Sequence, residues 1–132
     1  MTFSGELTAL EDRAEVSSLD GLHAERRALL TEYATLRALH GPGGKWDARR
    51  KAMLEAMKIR ARLDMTARAE KITESAVDAY GHADPQYIAF VDQGILDATR
   101  YVELETAISE IEERIRNREI ALSVYGKEVS LR

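Results

Sequence analysis

Residues that break helices are scarce in this chain, and they cluster. Glycine and proline together supply eight and two of its 132 residues, and most sit in two short stretches, Gly41-Pro42-Gly43-Gly44 and Gly81 to Pro85. A glycine costs about 1 kcal/mol and a proline about 3 kcal/mol inside a helix, so these stretches divide the sequence and the intervening segments are free to be helical. Those segments are rich in Ala, Glu, Arg and Leu, which favour helix over sheet. The expected fold class is therefore all-α.

Reading along the chain, Ser4 to Ser17 forms a short helix with Leu7, Leu10 and Ala14 on one side. Ser18-Leu19-Asp20-Gly21 interrupts it, with Ser18 or Asp20 capping a second helix over Leu22 to Leu39 whose apolar positions are Leu22, Leu29, Tyr33 and Leu36. A third helix is expected from Trp46 to Tyr80, roughly 50 Å at 1.5 Å per residue. Asp84 then caps a last helix with Pro85 in its first turn, and this helix runs from Gln86 to Tyr125 with Gly126 as its stop. Its apolar residues follow a heptad track: Tyr101, Leu104, Ile108, Ile111, Ile115, Leu122 and Tyr125, interrupted by Arg118. Ile88, Val91, Ile95, Ala98 and Val102 extend the track upstream. Two long helices joined by five residues must fold back, so 46–80 and 86–125 are expected as an antiparallel hairpin. Residues 1–40 then form a helical N-terminal unit and 41–45 a hinge, with residues 46–132 holding the hairpin.

On a helical projection the segment 46–80 carries two apolar stripes. One holds Ala52, Ala56, Ile59, Leu63 and Val77; the other, nearly opposite, holds Leu54, Ala61, Met65, Ile72 and Ala76. A surface helix needs only one such stripe, so two imply two partners. The last helix is one; a neighbouring copy, or the N-terminal helices of the same chain, is the other. A homo-oligomer is the expectation, with Ile59, Leu63, Tyr101, Leu104, Ile108, Ile111, Ile115 and Leu122 at its contacts.

The net charge of −4 conceals an asymmetry. Residues 45–71 contain nine basic side chains (Lys45, Arg49, Arg50, Lys51, Lys58, Arg60, Arg62, Arg68 and Lys71) against four acidic ones, which leaves this segment near +5 and the remainder near −9. Lys51, Lys58 and Arg62 fall on one flank of the helix and Arg49, Arg60 and Lys71 on the other. Such a block suits a polyanion, with phosphate contacts weakening as salt rises, or an acidic neighbouring chain. The candidate phosphate-binding residues are Arg49, Arg50, Lys51, Lys58, Arg60, Arg62 and Arg68. Trp46 and Tyr80 are the aromatic residues near enough for base stacking.

Other chemistry finds little support. The chain has no cysteine, and His23, His40 and His82 have no second ligand three or four positions further along the chain, so no metal or cofactor is expected. Gly41 to Trp46 lacks the spacing of a phosphate loop. The glutamates between Glu103 and Glu119 read as ion-pair partners of Arg114, Arg116 and Arg118, and no nucleophile–base pair marks an enzyme. Met1 to Leu10 lacks the pattern of a secretory signal and no segment has the roughly 18 apolar residues of a membrane span, so a cytoplasmic protein is expected.

At Ile59-Arg60-Ala61-Arg62-Leu63-Asp64-Met65 the chain resembles the Leu-Lys-Ala-Arg-Leu-Asp-Tyr motif of the UvsY-type recombination mediators of T-even phages, with four of seven positions identical. Those proteins are of similar length, carry the motif near mid-chain and finish with a long helix after a short acidic break, as Ala83-Asp84-Pro85 provides here. The resemblance implies a small helical protein that assembles into a ring and binds single-stranded DNA. It also implies that the ring loosens the single-strand binding protein and helps load a recombinase, in the host cytoplasm if the chain is phage-encoded. It ties DNA binding to Arg60 and Arg62. Two departures stand out. Met65 replaces the motif's aromatic residue, and Thr66 to Lys71 reads as helix where that family has a glycine-rich break. Arg60 and Arg62 also point about 160° apart on a regular helix, so one strand cannot meet both from one side. A structural or adaptor coiled coil, or an assembly chaperone without affinity for nucleic acid, accounts for the same helices and apolar stripes. An inhibitor whose acidic faces imitate DNA is a further alternative.

Overall fold

The computed structural model describes the backbone of residues 3–130 and the side chains of residues 18–126. Among the described residues the chain is entirely helical apart from turns: α1 (Phe3–His40), α2 (Trp46–Ala67), α3 (Glu74–Ala83) and α4 (Pro85–Ser130). It divides into two compact units, one of residues 1–34 with 103–132 and one of residues 35–102.

In the first unit, parts of α1 and α4 lie side by side. Leu22, Ile111 and Ile115 form a buried cluster against which Leu19 and Leu29 pack, and Leu104 is fully buried. Arg26 bonds Glu112 at 3.1 Å, His23 approaches Glu119 at 3.9 Å, and Tyr33 donates to Glu105 at 3.4 Å. As the α1 number falls the α4 number rises, so the two segments run antiparallel. The second half of α4, expected to lie along the 46–80 helix, lies along α1 instead.

The break expected at Ser18–Gly21 is absent, because α1 is continuous through it. Gly21 is exposed and a Cβ there would touch nothing. Its cost of about 1 kcal/mol is offset by the leucines on either side, which bury against α4. The face formed by Leu7, Leu10 and Ala14 lies outside the described side chains. Gly126 likewise does not end α4, which continues to Ser130.

In the second unit the helix break expected at 41–45 is present, as a turn within that unit. Gly41 N–H bonds Arg37 at 2.9 Å, and Gly43 takes a φ of 71°. A Cβ on Gly44 would overlap the Leu39 carbonyl oxygen. The single helix expected over 46–80 is instead two, separated by residues 68–73. Glu70 N–H bonds the Met65 carbonyl at 3.0 Å and Ala69 N–H bonds that of Thr66 at 3.1 Å, with Ala69 at φ 55°. This is the Schellman stop, with alanine where glycine is usual. Thr73 restarts the chain as N-cap of α3, its hydroxyl accepting from Ala76 N–H at 3.1 Å. Asp84 caps α4 as expected, accepting from Gln86 N–H at 2.8 Å with Pro85 in the first turn.

The interior of this unit is built from Met57, Ala61 and Met65 of α2, Val77 of α3, Tyr87 of α4 and Leu36 of α1. Gly81 lets α3 close on α2, with its missing Cβ position 3.0 Å from Lys58 Cγ. Trp46 stacks on Phe90 with ring centroids 4.9 Å apart and lies against Gly94.

Candidate nucleic-acid interface

The burial of α2 separates its two apolar stripes. Met57, Ala61 and Met65 turn inward; Ala52, Ala56, Ile59 and Leu63 turn outward, with Ile59 56% and Leu63 67% exposed. The outward row runs at the three- and four-residue spacing of a packing ridge, yet no part of its own unit covers it. Of the residues assigned to the outward stripe, Val77 departs: on α3 it is fully buried. Ile72, assigned to the inner stripe, lies in the loop and is 46% exposed.

Of the heptad residues expected at contacts between copies, Leu104, Ile111 and Ile115 are interior to one chain, while Tyr101, Ile108 and Leu122 are half-buried.

The cations border the outward row on both sides, and most have carboxylate partners. Arg50 bonds Asp47 at 2.9 Å and the Tyr87 hydroxyl at 3.3 Å, and Lys51 reaches the other Asp47 oxygen at 3.0 Å. The hydrogen bonds from Arg50 and Lys51 hold the Asp47 carboxyl below the usual carboxylate range. The bond to the Tyr87 hydroxyl, followed by that to Asp47, raises Arg50 above the usual guanidinium value.

Lys58 is the most enclosed, its side chain 20% exposed, with Asp78 at 3.0 Å and Glu55 at 3.5 Å. Its hydrogen bond lowers Asp78, and Asp78 in turn raises Lys58. Arg62 is clasped by both oxygens of Glu74 at 3.2 Å. Lys58 and Arg62 thus fasten α2 to α3. Arg60 points elsewhere, to Gln86 at 3.0 Å and Asp84 at 4.0 Å. The divergence expected of Arg60 and Arg62 is present, since their partners lie on different helices. Arg68 follows the end of α2 and meets Glu70 at 3.5 Å. Arg49 is exposed and has no ion-pair partner among the described residues. Exposed pairs of this kind contribute little to stability, so phosphate oxygens can replace the carboxylates of Arg60, Arg62 and Arg68.

Met65, where the resembling motif is aromatic, is 2% exposed. Its side chain therefore offers no surface for stacking. Trp46 is engaged with Phe90 and His40, whose ring centroid lies 5.3 Å away, whereas Tyr80 is 46% exposed. The bond from Arg50 to the Tyr87 hydroxyl is not evident from the basic segment alone. The spacing of Tyr87 and Phe90, one helical turn apart and facing α2, was the available signal.

Among the described residues no cluster of three metal-ligating side chains occurs, and no helix is long and apolar enough to cross a membrane. No family model, curated protein or solved structure matches the chain.

Proposed function

We propose that the protein is a homo-oligomeric binder of single-stranded DNA that acts as a recombination mediator, loosening the single-strand binding protein and assisting a recombinase to load. The observation that carries this reading is the outward row of α2, Ala52, Ala56, Ile59 and Leu63, bordered by cations on both flanks. Neighbouring copies cover the apolar row, and the flanking cations of successive copies then form a track for phosphates without regard to sequence. The resemblance at residues 59–65 supports the same function. So does the end of α2 at Ala67, which puts a break after the motif where the UvsY-type proteins have theirs. Arg49 and Arg60 are the principal phosphate contacts in this arrangement, Arg62 a further one, and Lys58 mainly a tie between α2 and α3.

Titration of a fluorescent single-stranded oligonucleotide against salt tests it. Binding weakens steeply with salt, and Arg49→Ala with Arg60→Ala lowers the log–log slope by about 1.4, since each phosphate that is no longer neutralised removes about 0.7. Undiminished binding by that double variant would refute the assignment.

A second reading, a structural or adaptor oligomer with no affinity for nucleic acid, is favoured by the pairing of Arg50, Lys51, Lys58, Arg60, Arg62 and Arg68 with acidic side chains. It predicts the same assembly and no salt-sensitive binding.

A further inference from the structure

Between the end of α2 and the junction of α3 with α4 lies a cleft of about 200 Å³, lined by Ala61, Asp64, Arg68, Tyr80, Asp84 and Pro85. That is several times the roughly 30 Å³ share of a water molecule and is enough for a planar ring. Tyr80 offers a ring 46% exposed, whose hydroxyl has no hydrogen-bond partner among the described residues. Asp64 is exposed, and no cation pairs with its carboxylate among the described residues. Arg60 reaches the rim, 4.0 Å from the second oxygen of Asp84, whose first oxygen caps α4. Arg60 and Asp64, four residues apart, follow one ridge of α2, and Arg68 stands just past its end as the C-cap.

Two carboxylates in the cleft disfavour an anion alone, and two guanidinium groups disfavour a cation alone. A nucleotide satisfies both sets: an anionic phosphate at one end, an aromatic ring, and on three of the four bases an amino group that donates to a carboxylate. We propose that this cleft is a nucleobase subsite, in which a base of the bound strand stacks on Tyr80 and donates its exocyclic amine to Asp64 while Arg60 and Arg68 hold adjacent phosphates. The proposal rests on the single-stranded DNA reading and adds to it a preference among bases. Cytosine presents an amine where thymine presents a carbonyl oxygen, which the carboxylate repels.

Anisotropy titrations of the full chain with labelled oligo-dC and oligo-dT of equal length, at one salt concentration and slightly alkaline pH, separate the two claims. Oligo-dC binds more tightly than oligo-dT by about tenfold or more, the yield of one charge-assisted hydrogen bond. Asp64→Ala, at an exposed helical position, brings the ratio to one because it removes both the acceptor for cytosine's amine and the repulsion of thymine's carbonyl, and Tyr80→Leu weakens both by about tenfold. Circular dichroism verifies that both variants keep their helix content. Equal, salt-sensitive binding of the two oligomers by the parent protein overturns the base subsite and leaves strand binding intact; no binding of either overturns both. Micromolar binding of free deoxycytidine monophosphate alongside equal affinity for the two strands overturns the assignment to a strand.

Discussion

Adding one methyl group at Gly94 is expected to destabilise the protein even though it lies inside a long helix, and removing Trp46 is expected to reverse the sign. A Cβ at Gly94 would lie 2.0 Å from Trp46 Cη2 and 2.1 Å from Cζ2. Carbon atoms prefer about 3.5–4.0 Å, so the indole must retreat by roughly 1.5 Å. It cannot do so freely, because it is stacked on Phe90 at 4.9 Å with only 15° between the planes. Overpacking of this kind costs about 1–3 kcal/mol, and disturbing the stack adds about 1 kcal/mol. Against this stands about 1 kcal/mol gained by replacing glycine with alanine in a helix. The net expectation for Gly94→Ala is a loss of about 2 kcal/mol. In a Trp46→Leu background the clash is gone and the same change stabilises by up to about 1 kcal/mol, which makes the coupling about 3 kcal/mol. Gly21→Ala is the control, since nothing lies within 4 Å of its Cβ position and it should stabilise by about 1 kcal/mol in both backgrounds. Urea unfolding followed by far-UV circular dichroism at one fixed protein concentration measures all of these, the chain's one tryptophan being removed in half of them. Equal effects of Gly94→Ala with and without Trp46 would refute the packing argument.

Three further outcomes are expected. Ala69→Gly relieves the left-handed backbone at φ 55° and stabilises the chain by about 1 kcal/mol in the same unfolding assay, whereas Ala67→Gly, at the last residue of α2, destabilises it by up to about 1 kcal/mol. Ile59→Lys with Leu63→Lys leaves helix content unchanged but forfeits roughly 2–4 kcal/mol of burial per copy, from the fractions of these side chains left exposed in the single chain, so sedimentation velocity should show association weakened about 30-fold or more. The Lys58–Asp78 pair contributes within a pH window. Asp78 is lowered in the folded chain, so its contribution is present above the ordinary carboxylate range and lost as pH falls through its folded value. Lys58 is raised, so its contribution is present below the ordinary lysine value and lost as pH rises through the raised one. Lys58→Met, which keeps the stem against Gly81, should therefore destabilise at neutral pH and differ less from the parent at strongly acidic pH, as read by urea midpoints.

The helical class, the turn at Gly41 to Gly44 and the Asp84-Pro85 start of α4 were all legible, because each rests on residues whose backbone chemistry admits few alternatives. The break at 68–73 was not, because the left-handed position that ends α2 is filled by Ala69 and carries no glycine to announce it. Thr73 followed by Glu74 was the one legible trace, as an N-cap with an acidic first turn. The opposite error arose at Ser18 to Gly21, where residues that favour caps are carried through a helix by leucines buried on its other face. For the candidate site, periodicity identified two apolar stripes on α2 but could not say which one faces inward. That depends on α3 and on the first turns of α4, which close over Met57, Ala61 and Met65 and leave Ile59 and Leu63 outside. Likewise a basic segment is visible in composition, while the clasp of Arg62 by Glu74 needs the turn at 68–73 to bring Glu74 back toward α2.

Multi-angle light scattering coupled to size-exclusion chromatography, run at micromolar concentration with and without a short single-stranded oligonucleotide in low and in high salt, bears most directly on the proposed mediator. The protein is expected to elute as a multiple of its 14.8 kDa chain mass in every condition, gaining the mass of the oligonucleotide in low salt and losing it in high salt while the protein assembly persists. A 14.8 kDa species that neither associates nor takes up the oligonucleotide in low salt would contradict it.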